Sequence, residues 1–226
     1  MKPSPLVTVT IPVYNAEEHL ADALASVLAQ TYRHLDVVVV DDGSTDRSVE
    51  IARSFDDARC RVIEQANAGA PAARNTGVAA SHGEMLAFLD ADDVWAPDKI
   101  DVQVRAMAAQ PDVAMVFGQY TSFSSGDAAV GDEPLPGYSL GTILAHRDRF
   151  REVGPLSTVW RVGDFIDWYG RAADLGLQHV MVAETVLLRR VHAGSLTASD
   201  REAWVDYAKI ARDMVRRRAA AQGTPS

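Results

Sequence analysis

Two periodicities alternate along the first part of the chain. Leu6–Ile11 is a short run of β-branched and apolar residues and predicts a buried strand. From Glu17 to Ala29 the apolar positions Leu20, Ala23, Leu24, Val27 and Leu28 recur at helical spacing. Asn15, with Glu18 three residues on, predicts a capping-box start for that helix. Asp36–Val40 predicts a second strand, the turn Asp42-Gly43-Ser44 leads into a helix from about Thr45 to Ser54, and Arg61–Gln65 predicts a third strand. A helix over Ala70–Ala80, a fourth strand over Met85–Leu89 and a helix from Pro97 to about Ala109 complete the pattern.

Strict alternation of strand and helix predicts an α/β fold, a Rossmann-like, mostly parallel central sheet flanked by helices. In such sheets ligands lie beyond the carboxyl ends of the strands. The acidic clusters fall there: Asp41 and Asp42 after the second strand, Asp90 to Asp93 after the fourth. After Phe117 the pattern changes. Ser122–Gly137, rich in Ser, Gly, Asp and Pro, predicts a loop. A short strand at Gly141–Ala145, a helical turn at Arg147–Val153, a helix at Asp164–Leu175 and one or two strands in Val180–Val191 follow. Asp200–Ala221 predicts a long helix with Trp204, Tyr207, Ile210, Ala211, Met214 and Val215 on one face. No internal repeat or long linker divides the chain, so one domain is expected over 1–226, its halves 1–118 and 119–226.

The bulk composition narrows the function. Thirty-one acidic residues against 22 basic ones give a net charge of −9, which repels nucleic-acid phosphates and argues against a nucleic-acid partner. The same charge repels a diphosphate unless a cation intervenes. The single cysteine, Cys60, in an apolar run, reads as a buried structural thiol and excludes an internal disulfide. No run approaches the roughly 20 apolar residues needed to span a bilayer. Met1-Lys2-Pro3-Ser4-Pro5 is too short and polar for a signal peptide, so a cytoplasmic location is expected.

Three segments carry candidate chemistry. In Asp90-Ala91-Asp92, two carboxylates two residues apart at a strand end point to one side. Such a pair can hold a hard divalent cation, with open positions for phosphate oxygens; the alternative is a solvated acidic turn. In Asp41-Asp42-Gly43-Ser44, a carboxylate at the strand end can accept from the imide of uracil or thymine or from guanine N1–H. Gly43 permits the turn, and Ser44 or Thr45 can cap the helix. In Asn67 to Gly77 the backbone can approach a ligand and Arg74 brings a cation near a diphosphate, while Asn75 and Gly77 suit helix packing. A structural ion pair is the alternative for Arg74.

Val9-Thr10-Ile11-Pro12-Val13-Tyr14-Asn15, Asp41 to Asp46, Ala73-Arg74-Asn75 and Phe88 to Asp93 together resemble the family-2 glycosyltransferases, over roughly residues 6–105. The resemblance implies the GT-A nucleotide-diphospho-sugar transferase fold, a nucleoside-diphosphate sugar donor, a divalent metal (Mn2+ or Mg2+) and inversion at the anomeric carbon. It implies further that Pro12, Tyr14 and Asp42 line the base pocket, that Asp90 faces the ribose or the metal, and that Asp92 ligates the metal directly.

Inverting transfer needs a base for the acceptor hydroxyl. The family places it in an acidic motif opening a helix, and the corresponding stretch here is Val162 to Tyr169. The familiar Glu-Asp pair is absent, which leaves Asp164 first and Asp167 second, with helix capping as the alternative for both. Gly154-Pro155-Leu156 also departs from the family's Gly-Phe-Asp. Arg189-Arg190-Val191-His192 resembles the late basic segment whose His reaches the metal or diphosphate. Trp160, Trp168 and Tyr169 could stack on an acceptor (a glycan, lipid, peptide or small molecule) or belong to the core. Arg216-Arg217-Arg218 could touch an anionic membrane, or answer the helix dipole. Two other classes stand beside the transferase. A nucleotidyltransferase would want a basic glycine loop where this chain has Pro12 to Ala16. A non-catalytic nucleotide-sugar-binding module would keep the donor motifs and lose the base.

Overall fold

The computed structural model describes residues 4–124, 133–160, 162–192 and 201–221, without the side chains of 201–204 and 221. The Trp204 side chain, residues 1–3 and half of the predicted Ser122–Gly137 loop, 125–132, lie outside them. The strands are β1 (Val7–Val13), β2 (Leu35–Asp41), β3 (Cys60–Glu64), β4 (Met85–Phe88), β5 (Val94–Trp95), β6 (Met115–Ser124), β7 (Leu135–Gly137), β8 (Leu144–His146) and β9 (His179–Val191). The helices are α1 (Leu20–Leu28), α2 (Ser48–Ser54), α3 (Ala70–Ala79), α4 (Lys99–Ala109), α5 (Arg147–Val153), α6 (Asp164–Asp174) and α7 (Arg201–Ala221).

These strands form one mixed sheet in the order β3-β2-β1-β4-β8-β6-β9-β5, with β7 on β6. The first four are parallel, as the alternation predicts. The second half is not uniformly so: β8 runs antiparallel to both β4 and β6, and β5 antiparallel to β9. Side chains alternate across the sheet. Val7, Val9, Ile11, Val37 and Val39 pack with Leu20, Leu24, Val27, Ile100 and Met107 of α1 and α4. The other face carries Leu86, Phe88 and Phe117 against Val78, Phe150, Phe165 and Trp168 of α3, α5 and α6. Each layer buries a continuous apolar surface, and the strand ends between the layers are left for polar groups.

The capping expectations are corrected. Asn15 does not cap α1, which begins at Leu20 behind His19 with no side-chain cap. Instead Asn15 adopts φ 47°, its N–H donates to Ser44 Oγ (2.9 Å) and its Oδ1 accepts from Thr45 N–H (2.8 Å). Ser44 and Thr45 therefore do not cap α2; its first N–H, of Ser48, is taken by Asp46 Oδ1 (2.9 Å). These small polar side chains join the β1 and β2 loops to each other.

On α3, Asn75 and Gly77 are packing residues. Asn75 Nδ2 donates to Leu156 O (2.8 Å), and its Oδ1 accepts from Leu156 N–H (2.9 Å), which ties α3 to the segment before α6. A Cβ on Gly77 would lie 2.2 Å from Thr10 Cγ2, so only glycine lets α3 come this close to β1. Gly77→Ala should therefore lower the unfolding free energy by about 2 kcal/mol, the overpacking cost outweighing the gain of about 1 kcal/mol in helix propensity. Urea denaturation measures it, and an unchanged or raised midpoint would contradict the contact.

Candidate active site

The carboxyl ends of β1, β2 and β4 meet at one edge of the sheet. Asp41 turns back into its own loop, its Oδ2 accepting from the N–H groups of Gly43 (3.2 Å) and Ser44 (3.1 Å). Asp42 is buried and accepts from Gln65 Nε2 (2.7 Å), Ala68 N–H (2.9 Å) and Gly69 N–H (2.7 Å). It thereby shapes the loop leading into α3, and it also lines a cavity of about 740 Å³ together with Pro12, Tyr14 and Asn67.

Arg74 is the hub of the edge. Its Nη2 donates to Asp90 Oδ1 (2.6 Å) and its Nη1 to Asp164 Oδ2 (3.0 Å). Burial alone would pull its proton affinity down, but the Asp90 and Asp164 charges prevail and hold it above that of an ordinary arginine. The structural ion pair expected as one alternative is thus formed, and its partners are two site candidates. Beyond it, His192 Nε2 and Asp92 Oδ2 lie 3.0 Å apart, with the His19 ring 5.1 Å from that of His192. Asp93 is buried; burial first, then the charges of Asp90 and Asp92, push its carboxyl up to about 8.

Arg190 holds this acidic loop in place. Its N–H donates to Asp93 Oδ1 (2.8 Å), its Nε to Asp92 O (2.9 Å) and its Nη2 to Asp22 Oδ2 (2.9 Å). Arg190 is therefore a tie between β9, the loop and α1. Arg189, one residue earlier, lines both cavities of the cleft, whereas Arg190 lines only the larger.

A second cavity of about 450 Å³ adjoins the first, walled by Tyr120, Tyr138, Leu140, Phe165 and Leu187. Arg74, Asp90, Asp93, Asp164 and Arg189 line both. The cleft thus has two compartments with one charged partition. Pro12, Tyr14, Asp42, Arg74, Asp90, Asp92, Asp164 and His192 are all brought to it.

Asp167 is not. It is buried and accepts from Arg171 Nε (3.1 Å) and Arg217 Nη1 (3.0 Å), as an ion pair between α6 and α7. Trp168 belongs to the core, stacked on Phe150 at 4.3 Å with its Nε1 donating to Gly154 O. Tyr169 packs against Phe117 and His179, and half-buried Trp160 lines neither cavity. Arg217 and Arg218 turn to Asp167 and Asp174 of α6, and Arg216 lies 3.8 Å from Asp213. On α7 the buried stripe is narrower than predicted, since Val215 is 68% exposed. Tyr120, Tyr138 and Leu187 give no signal of a site in the sequence: Tyr120 falls on β6, where the pattern changes, Tyr138 just after β7, and Leu187 reads only as part of a predicted strand. Tyr207, which also reaches the larger cavity, is legible only as part of a helix face.

The acidic corner suits a divalent cation. Among the described residues no three His, Cys, Asp or Glu side chains already converge at ligand geometry. Asp92 and His192 nevertheless adjoin at 3.0 Å, and Asp90 lines the same wall. Carboxylate and imidazole donors with room for phosphate oxygens match manganese or magnesium.

The chain spans less than half the length of the curated relatives it matches. A glycosyltransferase GlyA of Streptococcus pneumoniae is 42% identical over 124 residues, 54% of this chain and 18% of that protein. An uncharacterised glycosyltransferase of Haemophilus influenzae is 40% identical over 119 residues, 51% of this chain and 47% of that one. A UDP-Glc:α-D-GlcNAc-diphosphoundecaprenol β-1,3-glucosyltransferase of Escherichia coli is 35% identical over 116 residues, 51% and 46% of the two. Among solved structures, Staphylococcus aureus TarS 1-349 in complex with UDP-GlcNAc superposes with TM-score 0.73 at 17% identity, covering 91% of this chain and 65% of that one. A Pyrobaculum calidifontis mannosyltransferase in complex with GDP-Man and Mn2+ superposes with TM-score 0.71 at 21% identity, covering 95% and 65%. These likenesses establish the GT-A fold. The sequence model of the glycosyl transferase family 2 matches residues 8–160, and the chain belongs to that family.

Proposed function

We propose that the protein is an inverting glycosyltransferase that moves a sugar from a nucleoside-diphosphate donor to an acceptor hydroxyl. The observation that carries this is the charged partition: Asp164 faces both compartments at once while Arg74 ties it to Asp90. The UDP-GlcNAc and GDP-Man complexes of two proteins with this fold support a nucleotide sugar as donor.

In this reading the larger compartment takes the donor. Pro12 and the exposed ring of Tyr14 offer surfaces to the base, and Asp42, held by its three donors, has lone pairs left to accept the base N–H. Asp90, Asp92 and His192 would hold the divalent metal, which when bound neutralises the leaving diphosphate. Arg74 and Arg189 add positive charge at the partition. The acceptor, a glycan, lipid, peptide or small molecule, enters the smaller compartment, whose Tyr120, Tyr138 and Phe165 rings give an apolar lining. Asp164 takes the proton from the attacking hydroxyl, and Arg74 keeps its carboxylate directed at the partition. Transfer from the side opposite the leaving group inverts the anomeric centre. Asp167, neutralised under α7, is assigned a structural role.

A non-catalytic nucleotide-sugar module is the competing reading, resting on the altered acidic motif at Asp164-Phe165. Metal-dependent release of nucleoside diphosphate from a panel of donors separates the two. Binding without release from any donor, whatever acceptors are supplied, would favour the module.

Two substitutions test the roles. Asp92→Asn should weaken manganese-dependent nucleotide binding on the order of 100-fold, as loss of several kcal/mol of metal-mediated contact requires; calorimetry showing unchanged affinity would remove Asp92 from the metal site. Asp164→Asn should lower the turnover rate by about 100- to 10,000-fold while nucleotide affinity stays within about two-fold of wild type. Were Asp167→Asn to reproduce that kinetic pattern instead, the base would have to be reassigned.

A further inference from the structure

The family match ends at residue 160, yet one wall of the larger compartment comes from α7. Tyr207 lines it beside Val162, Gly163 and Asp164. Gly163 immediately precedes Asp164 and has φ 83°, a left-handed conformation that favours glycine. A Cβ built there would lie 2.7 Å from Ile210 Cδ1 and 3.1 Å from Tyr207 Cε1. Tyr207 and Ile210 are thus pressed directly onto the turn that presents Asp164.

The remaining length of α7 keeps them there. A Cβ on Gly170 would lie 2.7 Å from Met214 Cε, so α6 and α7 approach closely at a second glycine. Arg217 Nη1 donates to the buried Asp167 (3.0 Å), and Arg218 Nε donates to Asp174 (2.7 Å). Tyr207, Ile210, Met214 and Arg217 recur at helical spacing, so a single stripe of α7 follows α6 from its first turn toward its last. Asp167 already pairs with Arg171 of its own helix, and Arg217 takes its other oxygen, so the buried carboxylate ties α7 to α6 in one register.

We propose that α7 is a functional wall of the donor site, and that the ring of Tyr207 contacts the bound nucleotide sugar next to Asp164. The inference rests on the larger compartment being the donor site. Tyr207 presents an aromatic ring, a rigid surface of the kind that packs on a base or pyranose. The close approach to Gly163 engages ring carbons of Tyr207, so the ring is held against the turn at the wall of the compartment. Tyr207 is therefore a donor-binding residue, and Ile210, Met214 and Arg217 act through it as positioning residues.

Titration calorimetry of the full chain with a panel of UDP-, GDP- and dTDP-sugars in the presence of manganese tests this. Tyr207→Ala should weaken the sugar nucleotide that wild type binds by about 3- to 10-fold, measured at a temperature where the ligand-free variant is folded. Tyr207→Phe should stay within about two-fold of wild type. Hydrogen exchange supplies a readout independent of affinity: the donor should slow exchange in α7 amides of wild type, and less so in Tyr207→Ala. Wild-type affinity in a folded Tyr207→Ala would overturn the proposal, as would a Tyr207→Phe loss equal to that of alanine. Wild type binding no member of the panel would instead overturn the donor-site reading beneath it.

Discussion

A buried guanidinium shared by two carboxylates sets the geometry of the cleft. Arg74 comes from α3, Asp90 from the loop after β4 and Asp164 from the first turn of α6, so one planar side chain fixes three elements relative to one another. Asp164 cannot swing away without leaving charge unpaired in a poorly solvated place, whereas the Asp90 carboxylate is 44% exposed and keeps water as an alternative partner. Arg74 Nη1 and Nη2 diverge to different acids, which a lysine ammonium at the end of a flexible stem could not match in direction. In the proposed reading the same fork keeps the donor-side acid and the base a fixed distance apart, and transfer depends on that separation.

The electrostatics around this fork pull in two directions. Asp90, Asp92 and Asp93 gather in one short loop, where burial first and their mutual repulsion second raise the Asp93 carboxyl. Arg190 offsets part of that repulsion, bonding to Asp93 and to the Asp92 carbonyl, with its guanidinium over the Phe123 ring. Because Arg190 and His192 belong to the end of β9 and the residues after it, the shape of the acidic corner depends on a strand nearly a hundred residues later in the chain. The clustering of negative charge that costs stability in the ligand-free protein is the property that would draw a cation and, through it, a diphosphate.

How much of this is legible in the residues varies with the range of the forces involved. β1 to β4 and the helices between them are legible because β-branched runs and helical spacing are local signals. The cap chemistry is not: Asn15, Ser44 and Asp46 satisfy backbone groups across two loops, and a single segment does not show which partner a small polar side chain will meet. β6 escapes because its outer part, Gln119 to Ser124, is mostly polar and half-buried, and pairing with β9 and β7 makes it a strand. Asp164 and Asp167 share one helix face by spacing, so sequence alone does not separate their roles. The arrival of Arg217 from α7 does, by burying one and leaving the other at the cleft.

The two compartments are therefore encoded differently, and this bears on what each can recognise. The donor side is built mainly from short motifs after β1, β2 and β4. The walls of the smaller compartment come from β6, β7, β9 and the turn at Leu140–Thr142, brought together by long-range pairing. That turn is held from behind by a buried polar clamp: Trp95 Nε1 donates to Gly141 O, Gln103 Nε2 to Thr142 O and Lys99 Nζ to Ile143 O. Lys99 is fully buried and burial holds its proton affinity well below that of an exposed lysine, so the clamp has no solvent route to alternative partners. The exposed Tyr138, in front of the clamp, can change without disturbing the backbone behind it. Arg74, Asp90 and Asp164 cannot, because they belong to both compartments. In the proposed reading, a change of acceptor would fall on a wall that the fold supports independently, while the charged partition between the compartments stays fixed.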